Sequence, residues 1–241
     1  MWGSLVGKPF PLKVRAVADG TIVQAGDPVL SVHGPAEIAS IFEPLYLMSF
    51  YDTAVATMGA VIALEVGADR IIDMGLRSTI SITASLRASE ALYVGGNITM
   101  TSNDAAGAVY PWMKNAGTLA HRYMAMYPTQ RDAFVHAIEH NERIALLVDL
   151  VSSQEGIRIG MELKREYAPK GKSIQFRLDS GDLAAQAISI LTLQAASGMC
   201  NPQTDYVIVS DISSLEDIRA LEATVRDAGF DPKIWLKYGI G

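Results

Sequence analysis

An arginine, an aspartate and a serine stand together at Arg177, Asp179 and Ser180, followed by Gly181 and Asp182. The β-rich apolar run at 173–176 ahead of them reads as a strand, and apolar residues recur at helical spacing from Leu183 onward. The polar residues therefore occupy a turn between the carboxyl end of a strand and the start of a helix. Ligands bind at such ends in α/β proteins. Unpaired N–H groups at the helix start suit phosphate. Asp179 suits a ribose diol or a hydrated metal. A plain N-cap pair, Asp179 with Ser180, is the simpler alternative.

Similar strand ends recur along the chain. They are Asp73-Met74-Gly75-Leu76-Arg77-Ser78, Thr101-Ser102-Asn103, Gly117-Thr118-Leu119-Ala120-His121-Arg122, Asp149, Ser210-Asp211 and Gly239-Ile240-Gly241. Parallel strands would bring all of them to one face. Arginines, hydroxyls, glycine turns, one histidine and carboxylates fit an anionic, phosphorylated sugar. Hydride transfer fits poorly, because no G-x-G-x-x-G follows a strand.

The elements that must position these residues follow from periodicity. Strands are expected at 70–73, 119–124, 144–149, 173–178, 206–210 and 233–237. Helices are expected at 81–93, 103–110, 130–141, 155–167, 182–196 and 214–228, with a capping box at Ser213-x-x-Glu216. Repeated β–α units with right-handed crossovers give a parallel sheet or a barrel. Before them, runs at 14–17 and 21–23 flank the turn dipeptide Asp19-Gly20, 28–32 reads as another strand, and 36–66 as helix, with a kink or break at Pro44. The expected fold is α/β: an irregular β/α barrel of parallel strands, complete or incomplete, preceded by part of a smaller α+β domain. The expected division is 1–67 and 68–241. The closing turn Tyr238–Gly241 reads as leading into something further, as in a piece of a longer protein.

Composition narrows the classes. The 241 residues are 49% apolar and 19% charged, which supports a sizeable core and argues against disorder. A net charge of −6 argues against binding nucleic acid by phosphate neutralisation. The single cysteine, Cys200, excludes an internal disulfide framework and a cysteine zinc site, and favours an intracellular, cytoplasmic protein. No apolar run reaches membrane-spanning length, and residues 1–10 lack the apolar core of a signal peptide. His136 and His140 are spaced like metal ligands but read as a solvated helix face, so no side-chain metal cluster is expected.

Taken in order, the segments resemble the nicotinate phosphoribosyltransferase family, among the type II phosphoribosyltransferases. Asp73-Met74-Gly75-Leu76-Arg77 resembles its "(D/E)FGxR" element. Gly95-Gly96 with Thr101-Ser102-Asn103 resembles "GG…GTSN", Gly117–His121 resembles "GTxAHS", and Leu147-Val148-Asp149 resembles "LVDTYD". Arg177–Leu183 matches "RxDSGDL" almost letter for letter, and Tyr238–Gly241 resembles "FGVGT". The resemblance implies transfer of phosphoribosyl from phosphoribosyl pyrophosphate to nicotinate, giving nicotinate mononucleotide and pyrophosphate, with Mg²⁺ and coupled ATP hydrolysis. It implies catalytic roles for His121, as the histidine phosphorylated by ATP, and for Asp179, holding the ribose or its Mg²⁺ shell. Arg77, Thr101, Ser102, Arg177, Ser180 and Gly181 would bind substrate, Thr101 and Ser102 at the ring carboxylate. Ser210, Asp211, Gly239 and Gly241 would take the 5′-phosphate. It also implies a homodimer with small-molecule substrates, and neither nucleic-acid nor membrane partners.

Departures from the family are specific. Met74 replaces the aromatic that stacks on the pyridine, and Met100 replaces the glycine of "GTSN". Arg122 follows the histidine, Ser152 aligns with the aspartate expected to orient it, and the loop at Ser210–Ser214 lacks glycine. Nicotinamide-using relatives carry an acidic residue where Ser102 stands. A hydroxyl there avoids like-charge repulsion of about 4 kcal/mol against a carboxylate, though Asp104 lies two residues on. Two other readings stay open: a non-catalytic homologue binding a phosphorylated sugar or nucleotide, and a phosphoribosyltransferase for nicotinamide or quinolinate.

Overall fold

The computed structural model describes residues 7–18, 20–24 and 26–241. Residues 1–6, Asp19 and Ala25, and with them parts of the chain start and of the Asp19-Gly20 turn, lie outside the described residues. The first sheet pairs β1 (Lys13–Ala16) antiparallel with β2 (Leu30–His33). The run at 21–23 is not a strand. The Val17 N–H instead donates to Val29 O, which extends the β1–β2 pairing.

Helix α1 (Ala36–Val66) follows and passes through Pro44 without interruption. Proline removes one backbone bond, and a helix of 31 residues keeps the rest of its ladder. An 18-residue window of α1 has mean hydropathy 1.5, so by length and composition it reaches membrane-spanning dimensions. That corrects the sequence expectation: Ser49, Asp52, Thr53 and Thr57 interrupt the apolar run, yet its average stays at membrane-spanning level. Such a window is weak evidence of a membrane span, and here α1 lies along α2 (Ile82–Gly96). The contact depends on glycine. A Cβ on Gly95 would stand 1.8 Å from Ala56 O, and one on Gly96 2.4 Å from Gly59 O. Gly95-Gly96 is thus a helix-crossing point.

The main sheet contains β3 (Ile71–Asp73), β4 (Met100–Thr101), β5 (Lys114–Asn115), β6 (Arg143–Leu147), β7 (Ser173–Leu178), β8 (Val207–Val209) and β9 (Leu236–Ile240). All neighbours are parallel, in the order β5-β4-β3-β9-β8-β7-β6. The sheet curls until its ends meet. Past β5, the Ala116 N–H donates to Thr101 O at 2.8 Å, while Thr118 bridges Ala145 of β6. This is the expected barrel-like α/β architecture, irregular at the seam.

Helices α3 (Asp104–Val109), α4 (His121–Met124), α5 (Gln130–His140), α6 (Ser153–Tyr167), α7 (Leu183–Ala196), α8 (Leu215–Asp227) and α9 (Pro232–Trp235) complete the chain. Side-chain oxygens of Ser81, Asn103, Thr129, Ser152, Asp182, Ser214 and Asp231 accept from backbone N–H groups at helix starts. Three local expectations change. The cap of α8 is Ser214, which accepts from the Asp217 N–H, rather than Ser213. Residues 121–124 are helical, and the β contact falls at Thr118. Asp231 and Pro232 start a helical turn, so the last strand begins at Leu236 rather than 233.

Outward-facing Leu146, Ile174, Phe176, Val207, Val209, Leu236 and Tyr238 form the large core with the helices. Inward-facing Ile72, Ala145, Tyr206 and Ile208, with Met74, Met100 and Ala116, form a smaller core inside the barrel. The two-residue alternation of strands sorts side chains between these layers, and it decides which polar residues reach the barrel mouth.

Candidate functional site

Alternation along β7 turns Gln175 and Arg177 inward while Phe176 and Leu178 join the outer core. Arg177 is 8% exposed. Its Nε donates to Ser210 Oγ at 3.0 Å, Nη1 to Leu119 O at 3.3 Å and to Thr118 Oγ1 at 3.4 Å, and Nη2 to Asp179 Oδ1 at 2.6 Å. The Ser210 hydroxyl also reaches Asp179 Oδ1, at 2.6 Å. One buried cation thus ties the ends of β7 and β8 to the 118–119 seam. Burial pushes the Asp179 carboxyl up, but the Ser210 hydroxyl and the Arg177 guanidinium outweigh it and hold it below the ordinary carboxylate value.

A cavity of about 510 Å³ opens over this knot. Arg77, Arg177, Asp179, Ser210, Asp211, Gly239 and Gly241 line it, so seven of the expected site residues share one wall. Since Asp179 matches the charge of Arg177, the free cation on that wall is Arg77, which makes no ion pair or hydrogen bond among the described residues. The backbone N–H groups of Asp211 and Gly241 are also unengaged among the described residues. Asp211 takes φ +61°, the left-handed conformation usually given to glycine. The turn of the missing phosphate-loop glycine is therefore made by an aspartate, one of the few residues that tolerates it.

His121, Thr101, Ser102, Ser180 and Gly181 are not on the cavity wall. His121 stands beside it at the start of α4, with its side chain 46% exposed. Its Nε2 lies 3.2 Å from Asp149 Oδ1 and its Nδ1 lies 3.8 Å from Asp179 Oδ2. The Asp149 side chain, 2% exposed, also accepts from the Ser180 hydroxyl. The partner of the histidine is therefore Asp149, and Ser152, which the motif alignment places there, caps α6. In the sequence Asp149 stands out as a strand-end residue and as the first acid of the "LVDTYD"-like element. An acid closing a strand was the available signal, but pairing it with the histidine required the seam between Thr118 and β6.

Thr101 lies beneath the site. It is fully buried, donates to Asp73 Oδ2 at 3.0 Å and accepts from the Asn103 N–H. Asp73 also accepts from the Ser89 hydroxyl and the Gly75 N–H. This network sets the loop that carries Arg77, and it leaves the Thr101 hydroxyl no free hydrogen for a ring carboxylate. Ser102 is half-buried, and its N–H donates to Asp73 O. Asp104 is engaged by the Asn115 amide. Gly181, at φ +80°, provides the left-handed turn before α7.

Gly239 gives Met74 its place. A Cβ there would lie 2.4 Å from Met74 Sδ and 3.2 Å from Ser210 Cβ. Gly239→Ala is expected to push the flexible thioether into the cavity. Pyrophosphate affinity should fall about tenfold, or about 1.4 kcal/mol, by titration calorimetry. Met74→Ala in the same protein should restore it.

Among the described residues no group of three or more His, Cys, Asp or Glu side chains converges as a metal site.

The curled parallel sheet with a cation-bearing cavity at its strands' carboxyl ends defines the class of fold, an irregular β/α barrel with a polar cavity at the mouth. No family model matches the chain. Nicotinate phosphoribosyltransferase of Bacillus subtilis is 28% identical over 171 residues, covering 70% of this chain and 34% of that protein. The Homo sapiens enzyme of the same name is 35% identical over 116 residues, covering 47% and 21%. The crystal structure of human nicotinic acid phosphoribosyltransferase superposes with a TM-score of 0.73 at 24% identity, over 96% of this chain and 55% of that one. That of nicotinate-nucleotide pyrophosphorylase from Pyrococcus furiosus gives 0.75 at 20% identity, over 96% and 57%. These two likenesses concern the fold. In sequence the chain is similar to nicotinate phosphoribosyltransferases, as a divergent or partial relative. The chain spans about a third or less of the length of the Bacillus subtilis and Homo sapiens relatives it matches.

Proposed function

We propose that this chain carries the phosphoribosyl-transfer site of a nicotinate phosphoribosyltransferase, joining nicotinate to phosphoribosyl pyrophosphate. The observation that supports it most is the shared wall of Arg77, Asp179 and the unengaged Asp211 and Gly241 N–H groups. Displacement at the anomeric carbon builds positive charge on the ribose and negative charge on the leaving pyrophosphate. Asp179 Oδ2 faces the first, and Arg77 with the two N–H groups faces the second. Arg177, with four of its five N–H groups engaged by the protein, orients Asp179 and favours its ionised form.

Mg²⁺ would be held with the substrate phosphates by Asp179 and Asp211, whose residues line the same cavity, and would neutralise pyrophosphate charge when bound. In this reading His121 accepts the phosphoryl group of ATP. With Nε2 donating to the Asp149 carboxylate, the Nδ1 lone pair would be the nucleophile. The Ser102 hydroxyl, in place of an acid, favours a carboxylate-bearing base. The proposal includes a homodimer acting on small molecules.

Product analysis tests this. Full-length protein with nicotinate, phosphoribosyl pyrophosphate, Mg²⁺ and ATP should yield nicotinate mononucleotide. His121→Asn should remove the stimulation by ATP while phosphoribosyl pyrophosphate still binds. No product from folded full-length protein contradicts the proposal. A second reading, ligand binding without turnover, is favoured by one observation: Met74, at the position of the family's pyridine-stacking aromatic, lines the cavity. Calorimetric binding together with no product would select it. Nicotinamide and quinolinate in the same assay separate the choice of base.

A further inference from the structure

The opposite end of the barrel gathers cations that the reaction does not use. In register-matched parallel strands, paired residues point to the same side. Met100 and Ile208 face the barrel interior, so their partners Lys114 and Lys237 do as well. Ala145 faces inward too, and Arg143 stands two residues before it on β6. Lys114, Lys237 and Arg143 therefore bring three cations from three strands to the amino-terminal mouth.

The counter-charge close to them is an acid, Asp69, that acts on Lys237 without forming an ion pair among the described residues. The Lys237 ammonium lies 4.5 Å from the centre of the Tyr206 ring and 3.9 Å from Met100 Sδ. None of the three forms an ion pair, and the Tyr206 hydroxyl makes no hydrogen bond, among the described residues. Arg143 is near enough to influence both Lys237 and Tyr206 electrostatically, in line with its place two residues before inward-facing Ala145. Like charges gathered at one barrel mouth, one of them the partly buried Lys237, repel one another, and an anion between them would relieve that repulsion.

We infer that the amino-terminal mouth of the barrel is a second anion site, in which Lys237, Arg143 and Lys114, with the Tyr206 hydroxyl, hold a phosphate group. The carriers of that group fall into two sources: free inorganic phosphate or pyrophosphate, and the phosphate tail of a nucleotide. The site is separate from the reaction cavity, because the inner core of Ile72, Ala145 and Ile208 fills the barrel between them.

Calorimetry at low ionic strength with inorganic phosphate, pyrophosphate and ADP tests it. Wild-type protein should bind two equivalents of pyrophosphate. Arg143→Gln with Lys114→Gln should weaken one binding event at least tenfold and leave the other unchanged. Arg77→Gln should weaken the complementary event alone, so failure of the reaction-site reading remains distinguishable. Lys237→Met should act in the same direction as the Arg143 and Lys114 changes. If it does not fold, the other two substitutions, both at exposed positions, still decide. Phosphate binding as tight as ADP binding identifies the free anion as the ligand, and preference for ADP identifies the nucleotide. Two unaltered events in the Arg143→Gln, Lys114→Gln protein, or one event in wild type that only Arg77→Gln removes, overturns the inference.

Discussion

Arg177→Met is expected to lower stability by roughly 3 kcal/mol and to abolish ligand binding in the main cavity. The methionine fills much of the arginine's volume, so the loss is electrostatic. Asp179 loses its partner at 2.6 Å, and Ser210 and the Leu119 carbonyl lose their donors. Truncating one member of a buried pair leaves the other charge without compensation. Asp179 is 18% exposed, which holds the figure at the lower end of the usual range. Urea denaturation reads the stability and calorimetry with pyrophosphate the binding. A loss under about 1 kcal/mol would mean that the knot is no more than a surface contact.

The same substitution should change the acid limb of stability. Asp179 in the folded protein sits below its ordinary value of 3.8. A depressed carboxylate contributes stability that is present above its unfolded value and is lost as pH falls through the folded one. The wild type should therefore lose this contribution below about pH 4. Arg177→Met should show a shallower decline there, since one of the groups that lower Asp179 is gone while the Ser210 hydroxyl remains.

Gly95→Ala is expected to destabilise the protein by about 3 kcal/mol, more than any exposed alanine substitution. Its Cβ would lie 1.8 Å from Ala56 O, and the obstacle is backbone rather than a flexible side-chain tip. Relief requires α1 and α2 to separate, which opens the contact at Gly59 and Gly96 as well. Helix propensity alone would make the change favourable by up to about 1 kcal/mol. The sign of the measured effect therefore decides whether close helix approach governs this pair. Thermal unfolding with the single variant suffices. An unchanged or raised melting temperature would show that the helices do not meet at Gly95.

Much of the architecture is legible in residue order. Strand Ser173–Leu178 and the helix ending at Ala196 follow from alternating and helical apolar spacing, and cap residues such as Asp182 mark the boundaries. The polar strand ends are visible because β–α repeats force parallel strands, and parallel strands collect their carboxyl ends at one mouth. The misreadings have local causes. Apolar Leu119–Met124 looks like a strand by composition, yet only Thr118 pairs. Pro44 looks like a break, yet a long helix carries it.

The chain by itself determined which residues reach the mouth of the barrel, because the two-residue period of a strand and the 3.6-residue period of a helix are local properties. Tertiary structure alone decided what those residues do there. Thr101 became a buried support for Asp73, and Asp149 rather than Ser152 became the partner of His121. Arg177 was spent on Ser210 and Asp179, leaving Arg77 as the free cation among the described residues of that wall. Each of these pairings joins residues from different strands or loops, and their distances depend on the curl of the sheet and the closure of its seam, which no local pattern encodes.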